Sequence, residues 1–153
     1  MRAALVAVLL AASSAALADF SGTVVRIVDG DTLDVLVQNR PVRVRLAQID
    51  APERRQAYGT RARQALSAMV FRRVVTVSDA GADHYGRRLG TVFVAGMNIN
   101  AAMVDRGMAW AYRQYLRDRS LIGLEQQARA ERRGLWNDPA PVTPWFFRAH
   151  PFP

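Results

Sequence analysis

From Ser21 onward, apolar side chains recur at every second position: Val25 and Ile27, then Leu33, Val35 and Val37, then Val42, Val44 and Leu46. Period two sends successive side chains to opposite faces of a strand, so these runs predict three strands with one buried face. Asp29-Gly30-Asp31 and Gln38-Asn39-Arg40-Pro41 separate the runs with turn-forming residues, which makes them a meander. A helical period follows at Ala62, Ala65, Leu66 and Met69, with Thr60 placed to cap the first turn and Arg72 and Arg73 at the dipole-favoured end. The spacing predicts a helix from Thr60 to about Arg72, then short strands at Val74–Val77 and Leu89–Val94. Two further helices are expected, one from an Asn100 cap to Gly107 and one from Ser120 to Arg133, stopped by Gly134.

Five short strands broken by one helix and followed by two more predict an α+β, mainly β architecture. The expected fold is a five-stranded Greek-key barrel of the OB type with three α-helices. Beyond residue 138, five of the seven prolines and the aromatics Trp145, Phe146 and Phe147 form a tail read as neither helix nor central strand. Those rings are expected to strap the tail to the domain.

At the other end, Arg2 precedes an apolar run, Ala3 to Ala12, that leads to the small-x-small sequence Ala16-Leu17-Ala18. This is the pattern of a secretory leader cleaved after Ala18, and the run is too short and serine-interrupted for a spanning helix. The expected organisation is a leader at 1–18, a domain at 19–138 and a tail at 139–153. The mature chain is expected to be secreted or periplasmic, with no membrane attachment after cleavage, and monomeric.

Composition narrows the chemistry. Among 153 residues there is no cysteine, which excludes disulfides, a thiolate nucleophile and a Cys-built zinc site. All 21 basic residues are arginine, so lysine Schiff-base chemistry is excluded and every fixed positive side chain is a fork suited to phosphate or carboxylate. Against 13 acidic residues this gives a net charge of +8, which favours a polyanionic partner.

Three segments carry candidate chemistry: Asp29-Gly30-Asp31-Thr32, Arg45 to Glu53, and Asp83-His84-Tyr85-Gly86-Arg87. Singly, each has an ordinary explanation as a hairpin turn, a solvated loop or a turn with an exposed fork. Together with Val25 to Val28, Arg43-Val44, Tyr58-Gly59, Asn100 to Gly107 and Gly134-Leu135-Trp136, they run in the order of one family. The chain resembles the thermonuclease, or staphylococcal-nuclease-like, family over nearly all of Ser21 to Trp136.

That resemblance implies an OB-fold barrel and a calcium-dependent endonuclease that acts on DNA and RNA and leaves 3′-phosphate ends. Carried over residue by residue, the calcium carboxylates fall on Asp31 and Asp50, and a backbone carbonyl ligand on Ala51, where some members have Thr. The general base falls on Glu53 and the phosphate-binding arginines on Arg45 and Arg87. Tyr85, Tyr115 and, more weakly, Tyr112 are candidates for stacking on a nucleotide, set against ordinary packing of half-buried rings. Strict alternation puts Arg45 and Asp50 on opposite faces, so the strand must bend between them, with Pro52 a candidate for the break. The competing reading is a non-catalytic nucleic-acid-binding module on the same barrel. A basic protein that binds membrane or cell-wall anions rests on net charge alone.

Overall fold

The computed structural model of the protein describes residues 18–150. All but the last residue of the expected leader lies outside that range. The alternating segments form β1 (Phe20–Ile27), β2 (Thr32–Val37) and β3 (Arg40–Leu46), an antiparallel meander. Gln38 and Asn39 both take positive φ, 49° and 60°, the geometry a two-residue hairpin turn needs between twisted strands. One detail departs from simple alternation. Val24 and Ile27 point into the core while Val25 is exposed, because a bulge between Val24 and Arg26 shifts the register of β1 against β2.

The chain then makes β4 (Ile49–Asp50), α1 (Gly59–Val70), β5 (Val74–Ala82), β6 (Arg88–Val94), β7 (Met97–Asn98), α2 (Ile99–Asp105), β8 (Trp110–Ala111), α3 (Ser120–Ala130) and α4 (Pro144–Ala149). β1 pairs with β2 and β5, β5 with β6, and β6 returns to β3 in parallel, which closes a five-stranded barrel. This is the expected α+β fold, with three helices of seven or more residues among the described residues. β4 and β8 pair with each other outside the barrel. Leu33, Val44, Leu46, Val77 and Val92 fill the interior, and α1 plugs it with Leu66. Each such buried side chain contributes about 1.5–3 kcal/mol relative to exposure.

Several local expectations are corrected. Thr60 does not cap α1, whose entry residue is Tyr58 in the left-handed region with no side-chain cap. The helix stops at Val70, and Arg73 serves its end from outside by donating to the Met69 carbonyl. Asn98, not Asn100, caps α2 by accepting from the Ala101 N–H. Asn100 is buried inside the helix, where its amide bonds to backbone of the barrel. α3 ends at Ala130 rather than Arg133. The tail contains helix α4 because Pro144 stands at its first turn, where a missing N–H is harmless, and Thr143 caps it.

Candidate active site

The open end of the barrel bears a cleft of about 1050 Å³. Its floor is built by the Asp29–Asp31 turn and the segment that follows β3. Gly30 lets that turn lie close to the neighbouring elements: a Cβ there would stand 2.7 Å from the Cβ of Ala62 and 2.8 Å from that of Ala51. Asp31 is thereby buried, with its Oδ2 accepting from the Ala51 N–H at 2.8 Å and its Oδ1 from the Thr32 hydroxyl at 3.0 Å.

Arg45 holds the floor together. Its Nη2 lies 3.2 Å from Asp31 Oδ2 and 3.0 Å from Asp50 Oδ1, so both carboxylates converge on one nitrogen. Its Nη1 donates to the carbonyls of Leu46 and Ile49. The opposition between Arg45 and Asp50 expected from parity is resolved at Gln48 rather than at Pro52. Gln48 takes φ 66°, which turns the chain out of the barrel and lets β4 start a second small sheet.

The pocket is rich in negative charge. Burial, then repulsion from Asp31, pushes the Asp29 carboxyl up to about 6. Burial also raises Asp50, against the lowering influence of Arg148 and Arg45. Glu53 stands at the rim, its side chain one-third exposed. The two carboxylates brought to one point are oxygen donors of the kind that suits a hard cation. Among the described residues no group of three or more His, Asp or Glu side chains is arranged to hold a metal. Ala51 meets Asp31 through its N–H.

Arg87 and Tyr85 form another part of the cleft lining, where the ionic partner of Arg87 is Asp83. Arg87 donates from Nε to Asp83 Oδ2 at 2.7 Å, and its guanidinium lies 5.4 Å from the Tyr85 ring centre. Burial would raise the Asp83 carboxyl, but hydrogen bonds from Arg87 and Tyr85 outweigh it and hold it below the usual range. Tyr85 is 74% and Tyr115 60% exposed, so both rings are available at the cleft surface. Tyr112 is committed to packing, edge-on to Tyr115 at 5.1 Å and stacked on Trp145 at 5.4 Å. His84 only packs against Tyr85 among the contacts seen, a surface ring pair.

Two groups escaped the sequence reading. Arg129 of α3 pairs with buried Glu125 and covers the rings of Trp110 and Trp136. Arg148 of α4 reaches the floor, where it contacts both Asp50 and Glu53. Nothing local marks Arg148, because its partners lie 98 and 95 residues earlier.

A closed OB-type barrel with clustered carboxylates, arginine forks and exposed rings along one cleft defines a protein equipped to receive and act on a phosphate polyanion. The chain matches the model of the "Staphylococcal nuclease homologue" family over residues 43–138. It is 55% identical to "Protein ParB" of Escherichia coli, over 97% of this chain and 90% of that protein. It is 50% identical to "Micrococcal nuclease" of Shigella flexneri, over 97% of this chain and 91% of that one. An "Uncharacterized endonuclease" of Escherichia coli O157:H7 is 46% identical over 86% of each chain. The chain belongs to the staphylococcal nuclease family and is a micrococcal-nuclease-like hydrolase.

Proposed function

We propose that the protein is a calcium-dependent endonuclease that hydrolyses phosphodiester bonds of DNA and RNA to 3′-phosphate ends, and that it works outside the cytoplasm. The observation that supports this most directly is the convergence of Asp31 and Asp50 on Arg45 in a cleft shared with Glu53 and Arg87. Asp31, Asp50 and the Ala51 carbonyl would hold calcium, which supplies charge neutralisation at a non-bridging phosphate oxygen. Glu53 takes a proton from the attacking water, whose oxygen bonds to phosphorus as the bond to the 5′-oxygen breaks. That leaving oxygen collects a proton from solvent. Arg87, and Arg45 once the metal takes over Asp31 and Asp50, would offer guanidinium N–H groups to the equatorial oxygens, whose charge grows as phosphorus becomes five-coordinate. Tyr85 and Tyr115 offer faces on which an adjoining base stacks.

The test is digestion of single-stranded DNA, duplex DNA and RNA, in calcium and in chelator, by the parent and by Glu53→Gln. All three substrates are expected to be cut in calcium and none in chelator. Glu53→Gln retains oligonucleotide binding, and its cleavage falls by roughly 10²–10⁴, the usual range for loss of a positioned acid or base. Equal cleavage in chelator overturns the metal assignment. Parental cleavage by Glu53→Gln overturns the role of Glu53, and binding without any cleavage by the parent favours the non-catalytic module.

A further inference from the structure

The tail helix brings a cation of its own into the acidic floor. Arg148 grips Asp50 with both prongs, Nη2 to Oδ2 at 2.8 Å and Nη1 to Oδ1 at 3.1 Å, and the same Nη1 meets Glu53 Oε1 at 2.7 Å. With Arg45 also on Asp50 Oδ1, each oxygen of the Asp50 carboxylate has a guanidinium partner. A metal ion that takes Asp50 as a ligand therefore competes with Arg148 for that carboxylate.

The attachment of the tail suits such a displacement. Trp145 stacks on Tyr112 with ring planes 14° apart and meets Trp110 edge-on, while Gln56 donates to the Val142 carbonyl. These contacts hold α4 beside the cleft independently of charge. The ionic grip sits at the far end of the helix, on a side chain that is 41% exposed and so free to exchange its partners with water. Asp138-Pro139-Ala140-Pro141, which leads to the helix, lies outside helix and strand.

We propose that Arg148 is a built-in counter-cation of the site: seating of its guanidinium on Asp50 and Glu53 and binding of calcium exclude each other. In the metal-free protein the arginine offsets the buried negative charge and sequesters Glu53. When calcium binds, the guanidinium is released at the mouth of the same cleft and Glu53 is freed for its proton transfer. This rests on the calcium reading above.

The experiment measures calcium binding by titration calorimetry on full-length parent, Arg148→Gln, Arg148→Lys and Arg132→Gln. The last removes one exposed charge of the same sign elsewhere. Hydrogen exchange of residues 139–150 is followed in parallel, with and without calcium. If the guanidinium is seated nine-tenths of the time or more, its removal raises apparent calcium affinity at least about tenfold. Arg148→Gln is thus expected to bind calcium about tenfold tighter, Arg148→Lys to fall between, and Arg132→Gln to match the parent. Calcium should speed exchange in the last turn of α4 in the parent and leave that of Arg148→Gln unchanged. Equal or weaker calcium binding by Arg148→Gln, beside a parent that binds calcium, overturns the counter-cation and leaves the calcium reading standing. Absence of calcium binding in every protein overturns the calcium reading and this proposal with it.

Discussion

Asn100→Asp exchanges one amide NH₂ for an oxygen at constant size, at a position 2% exposed. In the parent, Nδ2 donates to the Ala47 carbonyl at 2.9 Å and the Gly90 carbonyl at 3.1 Å, while Oδ1 accepts from the Val92 N–H at 3.0 Å. A neutral carboxyl keeps the acceptor and one of the two donors, so the variant at low pH loses one hydrogen bond, about 1 kcal/mol. An ionised carboxyl would hold a bare oxygen against two carbonyl oxygens away from water. The folded variant keeps its proton instead, and its pKa rises far above the unfolded value of about 3.9. A carboxyl raised in the folded state stabilises fully below the unfolded pKa and less as pH rises toward the folded one. The loss accumulates at about 1.4 kcal/mol per pH unit, which reaches about 4 kcal/mol by pH 7 if the proton is still held. Urea unfolding of parent and variant, followed by tryptophan fluorescence, should therefore differ by about 1 kcal/mol at pH 4 and roughly 4–5 kcal/mol at pH 7. A difference that does not change with pH would refute the reasoning, since it would mean that the side chain is not locked between those carbonyls.

Gly30→Ala places a methyl against the fixed Cβ atoms of Ala62 and Ala51, so a stability loss of about 1–3 kcal/mol is expected in thermal or urea unfolding. An unchanged melting temperature would show that the Asp29–Asp31 turn sits further from α1 than 2.7 Å implies. Arg87→Lys keeps the charge but loses the Nε–H that staples the Asp83 turn and the two-pronged grip, so turnover should fall far more than oligonucleotide affinity. Parallel falls in both, from kcat and a separate binding isotherm, would reduce Arg87 to a general attractor.

The barrel was legible because its signal is local: a residue's parity along β2 or β3 decides which face it takes, and the apolar spacing states that parity. What local spacing could not state is which distant group a side chain serves. Asn100 looked like a cap because it precedes an apolar run, yet its amide is used by the backbone of residues 47, 90 and 92. Val25 was assigned inward by alternation and points outward because one bulge resets the phase. The left-handed turn at Gln48 had no glycine to announce it. The tail prolines argue against helix throughout the tail, and the first-turn tolerance for Pro144 lets α4 form all the same.

The site residues named from the motifs depend on two different kinds of register. Thr32 pairs with Arg45 across β2 and β3, which brings Asp31 to the fork, and Arg45 pairs with Leu89 where β6 closes the barrel, which sets Arg87 at the same end. A slip of one residue in either pairing would turn Arg45 to the opposite face. Asp50 is tied to the barrel only through Arg45, and its backbone is set elsewhere. It lies opposite Trp110 in the β4–β8 pair, and β8 is fixed by buried Glu125, which accepts from the Ala111 N–H at 2.7 Å and pairs with Arg113 and Arg129. α3 therefore positions one carboxylate of the floor and the barrel positions the other. The convergence of Asp31 and Asp50 on Arg45 is thus a tertiary property, set only when the helical half of the chain has docked on the strands.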